Sequence, residues 1–120
     1  MKKEKTMLKK GIMEISKFDR TKEHEKVLNQ CLLELTTRGF LCWKNSTGAI
    51  KTPTRYQRYG LKGSSDIFSI SPDGEFIAIE IKSGKAIQNK AQIVFQKALE
   101  KRKGTYWIIH SLDELKEKLQ

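Results

Sequence analysis

Apolar and polar positions alternate along this chain with two different periods. From Asp19 to Arg38, Val27, Leu28, Cys31, Leu32 and Leu35 recur at helical spacing, and Gly39 follows as a C-terminal stop. Phe40 to Lys44 reads as a short buried strand. Asn45 to Lys62 shows no apolar period, holds Gly48, Pro53 and Gly60, and is expected to be a long irregular segment. Two strand patterns, Ile67 to Ile70 and Phe76 to Lys82, flank Ser71-Pro72-Asp73-Gly74, whose turn chemistry predicts a hairpin. Gln88 to Lys103 is a second amphipathic helix carrying Ala91, Val94, Phe95, Ala98 and Leu99, with Gly104 at its end. Thr105 to Ile109 reads as another buried strand. Ser111, with Glu114 three residues on, is a capping-box signature for a last short helix ending at Leu119.

The predicted order is helix, strand, strand, strand, helix, strand, helix: an α/β domain spanning residues 19–120. Residues 1–18 mix six lysines with a few apolar residues in no sustained period and are expected to form a basic extension. No repeat or low-complexity tract divides the chain.

Charge narrows the choice of partner. The 120 residues carry 24 Lys and Arg against 14 Asp and Glu, a net charge of +10 spread along the chain. Such a field concentrates polyanions, and nucleic acid adds affinity by releasing counterions. No apolar run approaches the ~20 residues needed to span a bilayer, and the Lys-rich start lacks the apolar stretch of a signal peptide, so a cytoplasmic location is expected. Cys31 and Cys42 lie in apolar patterns and read as reduced, buried residues. With His24 and His110 they form no C-x-x-C or H-x-x-x-H spacing, so zinc is not expected.

The chemistry concentrates around Phe76 to Lys82. Alternation along that strand puts Glu80 and Lys82 on the same face as Phe76 and Ala78. If Ile70 pairs with Phe76, a five-residue connection, Ser71 to Glu75, brings Asp66 opposite Glu80 on that face; a four-residue loop would separate them. Two converging carboxylates repel unless a cation joins them, and their oxygens suit Mg²⁺ or Mn²⁺. An adjacent ammonium can then serve a water and stabilise charge developing on a phosphate. In the segment 45–62, Lys51, Arg55, Arg58 and Lys62 interleave with Tyr56 and Tyr59 as candidate nucleic-acid contacts, the alternative being a solvated loop of incidental charge. His24, without a visible partner, reads as a helix-interface residue.

Gly63-Ser64-Ser65-Asp66-Ile67, followed by Ile79-Glu80-Ile81-Lys82-Ser83-Gly84, resembles the D…ExK motif of the PD-(D/E)XK nucleases, and more narrowly their VRR-NUC branch. Trp43-Lys44-Asn45 with Gly48, and Gln92 on the second helix, are similar to further features of that branch, and the likeness spans roughly residues 23 to 115. Ser65 departs from it, standing where proline often precedes the aspartate.

The resemblance implies a restriction-endonuclease-like αβββαβ core, with a mixed central sheet flanked by helices. It implies a Mg²⁺-dependent DNA endonuclease, Mn²⁺ substituting, in which Asp66, Glu80 and the Ile81 backbone carbonyl hold the metal and Lys82 serves the attacking water. A glutamate of the first helix is an added ligand, assigned to Glu25 with Glu23 as the alternative; acids stabilising the helix dipole explain either residue equally. Gln92 supports the site, and Lys44 joins the nucleic-acid contacts. Stand-alone members resemble homodimeric nucleases of branched DNA such as four-way junctions, and a viral or mobile-element origin fits the same likeness. A sequence-specific restriction-type nuclease, a non-catalytic nucleic-acid-binding module of the same fold, and cleavage of RNA are the rival expectations.

Overall fold

The computed structural model describes residues 21–120, so the expected basic extension, residues 1–18, lies outside the described residues. Helix α1 runs through residues 21–37. It ends as the apolar pattern predicts: Gly39 takes φ 86°, its N–H donates to the Thr36 carbonyl and the Phe40 N–H to that of Leu35, each at 3.0 Å. Those are the two bonds of a Schellman stop, and Phe40 packs against the core beside fully buried Leu35.

Six strands follow: β1 (Leu41–Lys44), β2 (Gly48–Thr52), β3 (Arg55–Tyr59), β4 (Ile67–Ile70), β5 (Phe76–Ile81) and β6 (Thr105–Ile109), with helix α2 (Lys90–Lys101) between β5 and β6 and α3 (Leu112–Lys118) last. The main sheet has the order β1-β4-β5-β6. Its first two pairings are antiparallel and β5 runs parallel to β6. α2 is therefore the crossover connection that a parallel pair requires.

Strand β5 is covered on both faces. Ile77, Ile79 and Ile81 pack with Val27, Leu28, Cys31 and Leu35 of α1, Ile67 of β4, Ile109 of β6 and Leu115 of α3. Each fully buried Ile or Leu contributes roughly 1.5–3 kcal/mol, so this layer supplies most of the drive for folding. On the other face Phe68 stacks on Phe95 of α2 at 6.2 Å, and Phe95 meets Tyr106 edge-on at 6.1 Å. The sheet is thus sandwiched between α1 with α3 and α2, a mixed α/β architecture of restriction-endonuclease type.

One expectation is corrected. The segment 45–62 is not irregular: β2 and β3 pair antiparallel from Gly48↔Tyr59 to Thr52↔Arg55, turning at Pro53-Thr54. All ten strand positions are exposed on both faces. With no side to bury, the hairpin needs no apolar alternation, which is why the pattern gave no strand signal. The core order therefore gains two strands between β1 and β4.

The end of α2 also differs in detail. Lys103, not glycine, occupies the left-handed position at φ 71°. Gly104 comes one residue later, where a Cβ would lie 2.3 Å from Leu99 Cδ1.

Candidate active site

Ile70 pairs with Phe76 and Ile67 with Ile79. This is the five-residue connection, and continued one step it sets Asp66 opposite Glu80. The turn is held by Ser71, whose hydroxyl accepts from the Glu75 N–H at 3.0 Å while its carbonyl accepts from Gly74 N–H at 2.8 Å.

Asp66 sits where β4 begins, and three contacts fix its loop. The Asn45 N–H donates to the Asp66 carbonyl at 2.8 Å. The Asn45 side-chain amide donates to Ser64 Oγ at 2.7 Å and to the Ser65 carbonyl at 2.9 Å. The loop also presses on α2 at Gly63, which has φ 86° and no room for a side chain: a Cβ there would lie 2.3 Å from the Ala91 carbonyl oxygen. Gly63 and Asn45 are thus positioning features. Ser65, in the place of the common proline, is buried and hydrogen-bonded to the Ile67 carbonyl at 3.3 Å.

Asp66 Oδ2 accepts the Ile81 N–H at 2.8 Å. The N–H and C=O of one strand residue point the same way, so the Ile81 carbonyl opens on the Asp66 side too, whereas the Lys82 N–H turns to the Ile109 carbonyl of β6 at 3.0 Å. Glu80 is 4% exposed. Its Oε1 accepts from the Gln92 amide at 3.1 Å and lies 3.7 Å from Lys82 Nζ. Its Oε2 is buried with no hydrogen-bond partner.

Burial pushes the Glu80 carboxyl up to about 8, the Asp66 carboxylate raising it further and the Lys82 ammonium opposing. Once Glu80 is ionised, its Oε2 is a buried acceptor without a donor, which costs about 1–3 kcal/mol. It persists here beside a second carboxylate, the pattern expected of a position completed by a cation.

Gln92 links the groups. Its Oε1 accepts from Lys82 Nζ and from the Asn89 N–H, both at 3.0 Å, while Asn89 Oδ1 accepts the Gln92 N–H at 2.9 Å. This reciprocal capping box pins the start of α2. The one side chain therefore ties the helix N-terminus to the carboxylate and the ammonium. Asn89 escaped the reading of the sequence, although its spacing to Gln92 is the signal that would have found it.

The two acids of α1 have other neighbours. Glu25 pairs with Lys44 of β1 at 3.1 Å, both about half exposed. Glu23 lines a cavity of about 320 Å³ toward α3 with His110 and Ser111. Between those two directions the helix presents His24, whose Nε2 lies 3.3 Å from Asp66 Oδ2. Its place near the middle of the apolar face was legible; its partner, 42 residues away, was not.

Among the described residues no three His, Cys, Asp or Glu side chains form a ready cage for a metal ion. Two carboxylates, a backbone carbonyl and waters are nevertheless a usual Mg²⁺ set, since that ion keeps several waters and is held by one or two carboxylates. The donors present at Asp66, Glu80 and Ile81 fit the group. Lys51, Arg55 and Arg58 lie on the hairpin. Lys62 lines a cavity of about 230 Å³ at its base with Arg58, Tyr59 and Gly60.

Fold and site together describe a restriction-endonuclease-like α/β domain with a paired-carboxylate and lysine cluster at the mouth of its central hairpin. The particular fold is that of a VRR-NUC domain. A solved structure described as "VRR_NUC domain" matches with a TM-score of 0.61 at 16% identity, over 81% of this chain and 94% of that one. No protein-family model and no curated protein matches the sequence. Among the described residues no helix is long and apolar enough to cross a membrane.

Proposed function

We propose that the protein is a metal-dependent DNA endonuclease that hydrolyses phosphodiester bonds, acting on branched DNA such as four-way junctions. The observation that carries this reading is the clustering of three groups: Lys82 Nζ lies 3.7 Å from Oε1 of the buried Glu80, whose Oε2 has no partner, and Asp66 is near enough to push the Glu80 carboxyl up. Asp66, Glu80 and the Ile81 carbonyl would hold Mg²⁺, with Mn²⁺ as a substitute; when bound, the ion lowers the pKa of water and neutralises charge on the scissile phosphate. The chain's own groups do the rest. Lys82 Nζ, held at 3.0 Å by Gln92, presents an ammonium that orients the entering water and offsets the negative charge gathering on the phosphate oxygens. Water adds to phosphorus, the P–O bond to the leaving strand breaks, and the leaving oxygen takes up a proton.

Gln92 fixes Glu80 and Lys82 relative to each other. His24, on Asp66 Oδ2, holds that carboxylate from the α1 side. The net charge of +10 supports a DNA partner. A homodimer fits a domain of this size, because one copy offers limited DNA-binding area and two-fold symmetry suits paired cuts on opposed strands.

The test is cleavage of labelled four-way junction, flap, single-stranded and linear duplex DNA with Mg²⁺ or Mn²⁺, against an EDTA control and Lys82→Ala. Removing one charge-stabilising donor of this kind costs about 10²–10³ in rate. Binding of every substrate with cleavage of none would replace the enzyme by a binding module of the same fold.

A further inference from the structure

The β2–β3 hairpin buries neither face, and one of them gathers two cations about an exposed aromatic ring. Residues paired across an antiparallel ladder project to the same side, so Lys51↔Tyr56 and Ala49↔Arg58 share one face. The other face carries Gly48, Ile50, Thr52, Arg55, Gln57 and Tyr59. On the first, the Arg58 guanidinium carbon lies 5.9 Å from the centre of the Tyr56 ring, Lys51 stands directly opposite the same ring, and Tyr56 remains 60% exposed. Ala49, beside Arg58, is too small to cover the ring.

A half-open aromatic ring between two cations is the arrangement that binds an unpaired nucleotide. The base stacks on the ring and the flanking phosphates meet the cations; in an intact duplex the base faces are occupied by their neighbours. The hairpin is rooted beside the candidate active site. The chain enters it three residues after Asn45, which holds the Asp66 loop, and leaves it through Gly60 to Ser64, where the Ser64 N–H donates to the Leu61 carbonyl at 3.0 Å. Five strand residues at about 3.3 Å each reach roughly 16 Å from that root.

We infer that the Lys51, Tyr56 and Arg58 face of this hairpin is a binding site for an unpaired stretch of DNA strand, through stacking on Tyr56 and phosphate contacts at Lys51 and Arg58. This deepens the nuclease reading and rests on it for the identity of the polymer: a site for unpaired nucleotides beside the cutting site is a physical basis for preferring branches over plain duplex.

The assay is fluorescence anisotropy in EDTA, where binding is read without cleavage, using the full chain with labelled oligothymidine and with a duplex of equal length. Tyr56→Ala is expected to weaken oligothymidine binding about tenfold while leaving duplex binding within about twofold, and Tyr56→Phe to keep wild-type affinity. Lys51→Ala and Arg58→Ala should each lower the salt dependence of single-strand binding by about 0.7 in the log–log slope. The side chains are exposed, so far-UV circular dichroism and melting should be unchanged. Unaltered oligothymidine binding in Tyr56→Ala, an equal loss on duplex, or weakening confined to the two cation variants would overturn the proposal. Tyr56-dependent binding by a protein that cuts nothing would leave this site standing and remove the nuclease. Cutting together with a silent Tyr56→Ala would do the reverse.

Discussion

Glu80→Gln is the substitution that most directly examines the physics of the site. Without metal, Glu80 is an acid whose folded-state pKa, about 8, lies above its ordinary value of 4.5, chiefly because burial penalises the charge and secondarily because Asp66 repels it. An acid that binds its proton more tightly when folded stabilises the fold fully below about pH 4.5, and that stability is lost as the pH climbs to about 8. Each pH unit between the two values is worth about 1.4 kcal/mol, so ionising Glu80 costs on the order of a few kcal/mol by pH 8. Glutamine keeps an acceptor for the Gln92 amide and never ionises. In EDTA, urea unfolding of wild type and variant should give matching stabilities near pH 4.5 and a gap that widens with pH in favour of the variant, by several kcal/mol at pH 8. Millimolar Mg²⁺ at pH 8 should raise the stability of the wild type, by replacing the proton with a tighter-bound cation, and leave the variant unmoved. Cleavage should be lost in the variant throughout. Parallel stabilities at all pH values, or a wild type that gains on the variant as pH rises without metal, would refute the account of Glu80 as a buried, frustrated ligand.

Other substitutions separate positioning from chemistry. His24→Ala is expected to slow cleavage by about tenfold or more and Glu25→Gln to leave it near wild type, since only His24 meets Asp66; single-turnover rates decide the order, and the reverse order would return the α1 ligand to Glu25. Gly63→Ala should destabilise by more than about 2 kcal/mol and abolish cutting, because the new methyl meets both a positive φ and the Ala91 carbonyl; a thermal melt within a degree or two of wild type contradicts this. Lys103→Gly should stabilise by about 0.5–1 kcal/mol in urea, relieving the left-handed strain at the end of α2 without touching the site; a loss of stability would show that the Lys103 side chain contributes more than its backbone conformation costs.

Much of the central machinery could be read along the chain because its geometry is local. Glu80 and Lys82 share a face through strand alternation, and the turn chemistry of Ser71 to Gly74 left two registers open, of which the five-residue connection that sets Asp66 opposite Glu80 is the one found. The Gly39 stop of α1 and the Ser111 cap also follow from short-range backbone chemistry, whereas the left-handed residue that ends α2 is Lys103, one before the glycine expected. The β2–β3 hairpin stayed hidden because periodicity reports burial, and its strands bury nothing.

What the sequence by itself determined, then, is the set of elements with a buried face and the chemistry each one carries. Only the tertiary structure decided which side chain of α1 faces Asp66. Glu23, His24 and Glu25 are successive positions within one turn of the helix, and a rotation by one residue, about 100°, exchanges them. That rotation is set by how Val27, Leu28, Cys31 and Leu35 seat against Ile67, Ile79 and Leu115, contacts 30 to 90 residues distant along the chain. On the opposite face of β5, α2 packs down through Phe95 and Gln92, and there Glu80 is buried with its Oε2 left without a partner. No local pattern encodes that, because desolvation depends on what the rest of the chain brings over a group.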